Sequence, residues 1–332
     1  MAKIVLGIGT SHSPLLTLPS EDWVHRARSD LQNEQLNLSD GRLVSYDLLL
    51  EERGPQYELE SSEANLKQQA ATCEEALDRL ADELEAAAPD VVIIVGDDQE
   101  ELFGSVNQPA FAVYYGDTLV MNDKYGQDHN PDWIKRMSRG YMMDDTHSHP
   151  CDSTLALEII EGLIARDVDV STSSRVDDPK QFGFGHAFGF VIERLFKGRP
   201  YPVVPLLLNT YFPPNVVRSS RAFDIGQHLK AVLDSSPRDL RIAIIASGGL
   251  SHFVTDATLD RGVMDAMSAG DHEHLRRVPP EALQSGSSEI LNWILTAGAI
   301  TDLSHAWSVY EPVYRTPAGS GIGLGFAAWK KE

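Results

Sequence analysis

SSEANLKQQAATCEEALDRLADELEAAAPDVVIIVGDDQ, residues Ser61–Gln99, is the stretch whose reading decides the fold. Leu66, Ala70, Cys73, Leu77, Leu80 and Leu84 recur at three- and four-residue spacing, which is the apolar stripe of a helix over 61–88. Ser61 or Ser62 can cap its start, with Glu63 near the positive end of the helix. Pro89-Asp90 stops it, and Val91–Val95 is a short β-branched run that reads as a buried strand. Gly96-Asp97-Asp98-Gln99 follows at once, so a helix feeds a buried strand whose end is polar.

The same alternation extends outward. Strands are predicted at Lys3–Ile8, Phe111–Tyr115, Val168–Ser171, Val203–Leu208, Arg241–Ala246 and Gly323–Ala328. Helices are predicted over Cys151–Ala165, ending at Val191–Phe196, and over Val216–Leu233 and Ser288–Ala297. Strands alternating with helices mean an α/β fold with a mostly parallel sheet. The 332 residues read as a single domain, interrupted at about 21–56 by a polar, weakly periodic excursion that serves as a lid or faces a partner.

Lys+Arg 28 against Asp+Glu 49 leaves a net charge of −21. That field repels phosphate backbones and anionic lipid, so neither nucleic acid nor a membrane surface is expected as partner. The two cysteines, Cys73 and Cys151, make no disulfide framework and no zinc spacing, and no targeting signal precedes the first strand; the expectation is a cytoplasmic protein.

Ligands in parallel α/β sheets sit at the carboxyl ends of strands. Those positions here, and the loops beside them, hold Thr10-Ser11-His12-Ser13-Pro14, Gly96-Asp97-Asp98-Gln99, His147-Ser148-His149-Pro150, Gly185-His186 and Ser247-Gly248-Gly249-Leu250-Ser251-His252. One such histidine alone is most simply a hydrogen-bonded structural group. His12, Asp98, His149, His186 and His252 together are the residue types of a zinc or non-haem iron site and of acid/base catalysis. No dinucleotide fingerprint, phosphate loop or nucleophile elbow competes with that reading.

These segments, with Glu289-Ile290-Leu291-Asn292-Trp293, occur in an order that resembles the class III extradiol ring-cleavage dioxygenases. The resemblance implies a three-layer α/β sandwich, non-haem Fe(II), and cleavage by O2 of a catechol- or gallate-like ring beside its hydroxyls. It implies His12 as an iron ligand, His186 as acid/base, and His149 and His252 as substrate-binding groups. It also implies a homo-oligomer, with a small second subunit in some assemblies.

Two positions depart from the pattern. Gln99 stands where the family has its second iron histidine, and Thr258 aligns with the iron-binding glutamate. Asp98, with Gln99 beside it, is the metal candidate at the end of the second strand; Asp256 or Asp260 offers another carboxylate. Three readings stay open: a shifted alignment, a site rebuilt from other histidines for iron or another metal, or a metal-free, non-catalytic subunit. For an acidic substrate, Arg28, Arg42, Arg53 and Lys124 are the candidate anchors.

Overall fold

The computed structural model describes residues 2–126 and 129–331. The chain begins with β1 (Lys3–Thr10), α1 (Trp23–Asp30), β2 (Leu36–Asn37), β3 (Leu43–Val44), α2 (Tyr46–Arg53), α3 (Glu63–Ala87), β4 (Val91–Asp97) and β5 (Phe111–Tyr114). There follow β6 (Thr118–Val120), α4 (Asp132–Gly140), β7 (Ser148–Pro150), α5 (Ser153–Ile164), β8 (Ser171–Ser173), α6 (His186–Leu195), β9 (Val203–Leu208), α7 (Ser219–Ser235) and β10 (Arg241–Ser247). It closes with β11 (His252–Val254), α8 (Ala257–Ala269), α9 (His272–Arg276), α10 (Ile290–Ala299), β12 (Ser304–Tyr314) and β13 (Ser320–Lys330).

One sheet runs β11-β13-β1-β10-β4-β9-β5-β8, with β12 paired on β13. Its centre, β1, β10, β4 and β9, is parallel, and β13 and β5 flank it antiparallel. The two-residue period of β4 sends Val91, Ile93 and Val95 into a core with α5, α7 and α10, and Val92 and Ile94 into another with α3 and α6. Helices on both faces make the three layers.

The predicted helix over 61–88 is α3, capped by the Ser62 side chain on Asn65 N–H and closed by Ala88 at φ 42°. Several elements escaped the sequence reading, the short helices and strands of the 21–56 excursion among them. Helix α8 and strand β12 carry mixed apolar and charged residues, because each buries only part of its surface. Strand β8 starts at Ser171, later than expected, while Val168 is buried in the turn before it.

The 21–56 excursion is ordered. Leu36, Leu38, Val44, Tyr46 and Leu49 form a small core of their own with Val254 and Ala318. Asn37 ties it down, donating to Gln284 O and accepting from Phe253 N–H. Among the described residues no helix is long and apolar enough to cross a membrane.

Candidate active site

The carboxyl ends of β1, β4 and β10 converge with the N-termini of α6 and α10. His12 follows β1 and is buried. Its Nδ1 lies 2.9 Å from Ser247 Oγ, and the Ser247 hydroxyl donates to Ala187 O at 2.6 Å. The serine proton is therefore occupied, so Nδ1–H of His12 is the donor and Nε2 keeps a bare lone pair. Nε2 has no hydrogen-bond partner, yet it lies 3.1 Å from Glu289 Oε2 and 3.9 Å from Asp97 Oδ1.

Asp97 is the last residue of β4, His186 opens α6, and Glu289 precedes α10. Glu289 Oε2 also accepts from Gly249 N–H at 2.5 Å. His186 Nδ1 is 2.9 Å from Glu101 Oε1, its Nε2 is 3.8 Å from Asp97 Oδ2, and its ring meets that of His12 edge-on at 4.6 Å. Glu101 reaches it only because residue 185 is glycine: a Cβ there would lie 2.3 Å from Glu101 Cδ.

Ligand atoms of His12, Asp97, His186 and Glu289 all lie within 4.8 Å of one another, a group that could hold a metal ion. Donors about 2.1 Å from one ion are at most about 4.2 Å apart, so a small contraction would close the shell. The charges call for a cation. Burial and the neighbouring Glu289 carboxylate push Asp97 up, against the pull of His12 and His186. Burial acts on Glu289 in the same sense, but the His12 and His252 imidazoles in their protonated form, standing where a cation would, hold its carboxyl well below the usual range. Burial disfavours a charged His186, and the Glu101 carboxylate overcomes this, raising its pKa to about 9.

His12, His186 and Glu289 form part of the wall of a cavity of about 230 Å³, with Asp97 buried behind them. Tyr141 lines it too, its ring edge-on to His186 and its hydroxyl donating to His12 O at 2.7 Å. His252 lines the same cavity. Its Nδ1–H donates to Leu250 O at 2.8 Å, which leaves its Nε2 lone pair 3.4 Å from Glu289 Oε1.

The fold thus brings His12, Gln99, His186 and His252 together. The Gln99 amide donates to Asp97 at 3.0 Å and to Glu289 at 3.4 Å. Asp98 and His149 fall elsewhere. Successive side chains of an extended segment alternate, so Asp97 and Gln99 turn toward the cluster while Asp98 turns away and accepts from Leu102 and Phe103 N–H. His149 is held in β7, against Phe196, by Tyr201 O at 2.8 Å. Thr258 is exposed in the first turn of α8, which Asp256 caps, and Asp260 is occupied by Ser251 and Tyr310. The carboxylates of the cluster are Asp97 and Glu289. Glu289 lay inside a recognised segment without a role, and the two-residue period of the strand end was the signal for Asp97.

A family model for the catalytic LigB subunit of aromatic ring-opening dioxygenase matches residues 55–324. The chain belongs to this family. Among individual relatives, a gallate dioxygenase of Pseudomonas putida is 30% identical over 102 residues, 31% of this chain and 29% of that protein. A 2,3-dihydroxyphenylpropionate/2,3-dihydroxicinnamic acid 1,2-dioxygenase of Paraburkholderia xenovorans is 35% identical over 98 residues, 30% of this chain and 28% of that protein. Its Cupriavidus necator counterpart is 30% identical over 103 residues, 31% and 30% of the two chains. Each match spans under a third of the relative's own length.

Proposed function

We propose that this LigB-family chain is an Fe(II)-dependent extradiol-type dioxygenase that opens a catechol- or gallate-like ring with O2. The observation that carries the reading is the bare Nε2 of His12, on the wall of a cavity, facing the buried carboxylates of Asp97 and Glu289. An apolar cavity of about 150 Å³ accepts benzene, so about 230 Å³ suits one substituted ring.

His12, Asp97 and Glu289 would hold the ion, one imidazole and two carboxylates being hard and borderline donors suited to ferrous iron. When bound, the ion supplies Lewis acidity and redox chemistry between the ionised diol and O2. Gln99 steadies both carboxylates through its amide hydrogens. His252, with its Nδ1 proton engaged by a carbonyl, offers Nε2 to take the hydroxyl proton of the substrate. His186, kept cationic by Glu101, carries a proton to return as the ring opens. Two histidines with opposite partners thereby divide base and acid roles.

A metal-free subunit would bury Asp97 and Glu289 together beside the bare Nε2 of His12 with no cation between them, at a cost of several kcal/mol. The deciding experiment is metal analysis of anaerobically purified protein, then oxygen uptake with catechols and gallates. Near-stoichiometric iron and diol-dependent uptake support the proposal; neither, even after Fe(II) is added, would sink it.

Assembly as a homo-oligomer in the cytoplasm belongs to the same proposal. Exposed Val24, Leu31, Leu43, Leu48 and Leu50 all lie in the 21–56 excursion, which supports a partner-facing role for it. The two free cysteines suit a reducing compartment.

A further inference from the structure

Helix α1 presents three residues inward at helical spacing: Trp23, Arg26 and Asp30. The outer two are anchored. Trp23 is buried and its indole donates to Leu15 O at 2.9 Å. Asp30 accepts from Arg315 Nε at 2.7 Å, Arg315 Nη2 at 3.1 Å and Ser320 Oγ at 2.9 Å. Between them Arg26 lines the cavity that also holds His12, Gln99, His186, His252 and Glu289.

Among the described residues Arg26 has no hydrogen-bond or ion-pair partner. Its Nε is shut off from solvent and unbonded, and among the described residues no carboxylate lies within ion-pair distance of it. The acid one turn further along, Asp30, is occupied by Arg315. Arg42, Arg136 and Arg238, by contrast, each have an aspartate. The charges that Arg26 feels most are Arg315 and Asp30, which oppose each other, with the phenols of Tyr141 and Tyr125 behind them. Burial, reinforced by Arg315, lowers its pKa below the ordinary arginine value. An unpaired, partly desolvated guanidinium destabilises the empty protein, and a ligand carrying an anion would recover that cost.

We propose that Arg26 binds the carboxylate of an aromatic acid in the cavity and so selects acidic over neutral ring substrates. The planar guanidinium fork matches a carboxylate in two parallel hydrogen bonds. This replaces the anchors expected from sequence: Arg42 is exposed and paired with Asp40 and Glu52, and neither Arg28, Arg53 nor Lys124 lines the cavity. The diol end of the ligand rests on the ring-cleavage reading; the acid end does not.

The test is anaerobic calorimetric titration of the full-length protein, which needs no turnover. The probes are 3,4-dihydroxybenzoate against 3,4-dihydroxybenzamide, 3-(2,3-dihydroxyphenyl)propionate against its amide, and inorganic phosphate. For at least one pair the wild type should bind the acid about tenfold or more tighter than the amide, as expected of a charge-assisted pair. Arg26→Met should bring that ratio to about one without lowering Tm, since it removes an unpaired charge; Arg26→Lys should keep part of it. A wild type with no acid preference in either pair, or a preference that survives Arg26→Met, overturns the proposal. So does phosphate binding as tight as that of the acids, or a large drop in Tm in both variants, which would make Arg26 structural. Acid preference without oxygen uptake would retain Arg26 and reject the dioxygenase reading; uptake without acid preference would do the reverse.

Discussion

Two buried acids lie close to the Gly248-Gly249-Leu250-Ser251-His252 segment, and they have opposite surroundings. Asp260 accepts from Ser251 N–H, Ser251 Oγ and Tyr310 OH, each at 2.7 Å. Glu289 accepts from Gly249 N–H, but it also faces the unbonded Nε2 of His12 and, with Asp97, shares a pocket of imidazoles. Both carboxyls are buried; only one set of polar groups is left unsatisfied. Burial of an acid by itself is therefore no sign of a site. What marks one is a donor set that closes only when a cation or ligand is added.

The comparison breaks most visibly at the histidines. His186→Ala should lower turnover by about 10²–10⁴-fold while bound iron stays near the wild-type amount, as for loss of a proton carrier. Iron lost in proportion to turnover would make His186 a ligand instead, joining it to the unsatisfied set. His12→Ala should weaken metal binding by about 10–100-fold or more, read by metal analysis after dialysis. Full retention would place the metal elsewhere.

The Asp260 side of the comparison is sharpened by pH. Burial, only partly offset by its three donors, raises the Asp260 pKa from 3.8 to about 6. The folded state then binds more protons than the unfolded state between about pH 4 and 6. Its contribution to stability is complete below about pH 4 and is lost as pH rises through 6, by up to about 3 kcal/mol. The difference in urea stability between wild type and Asp260→Asn should follow that slope; a flat difference would show that Asp260 is ionised throughout.

The smallest effects belong to residues that sequence position alone suggested. Asp98→Asn and His149→Ala should leave iron content unchanged, because Asp98 serves loop N–H groups and His149 serves Tyr201 O. Each should cost about 1–2 kcal/mol of stability. Iron loss in either variant would count against the position of the cluster.

Much of the fold was legible because its signals are local. The stripe from Leu66 to Leu84 and the run Val91–Val95 state their periods within a few residues, and buried parallel strands have no polar face to blur them. The edge was less legible: β12 is a half-exposed strand containing Glu311 and Pro312, and its pairing with β13 is set by the partner strand. In the site, His12, Gln99, His186 and His252 were legible as chemistry at element ends. Asp97, Glu101 and Glu289 were not assigned, although Asp97 follows from strand alternation once the strand is known to end there.

What the sequence determined by itself was the α/β class, the strand ends on which chemistry would gather, and the family resemblance. Short apolar runs and their polar terminations encode these locally. What only the tertiary structure decided was which carboxylates meet His12, which way Asp98 turns, and which arginine is left unpaired. Glu289 reaches a residue 277 positions before it, and Arg26 is free only because Asp30 is engaged by Arg315, 285 residues away. Contacts of that range depend on how the layers close, and no local pattern carries them.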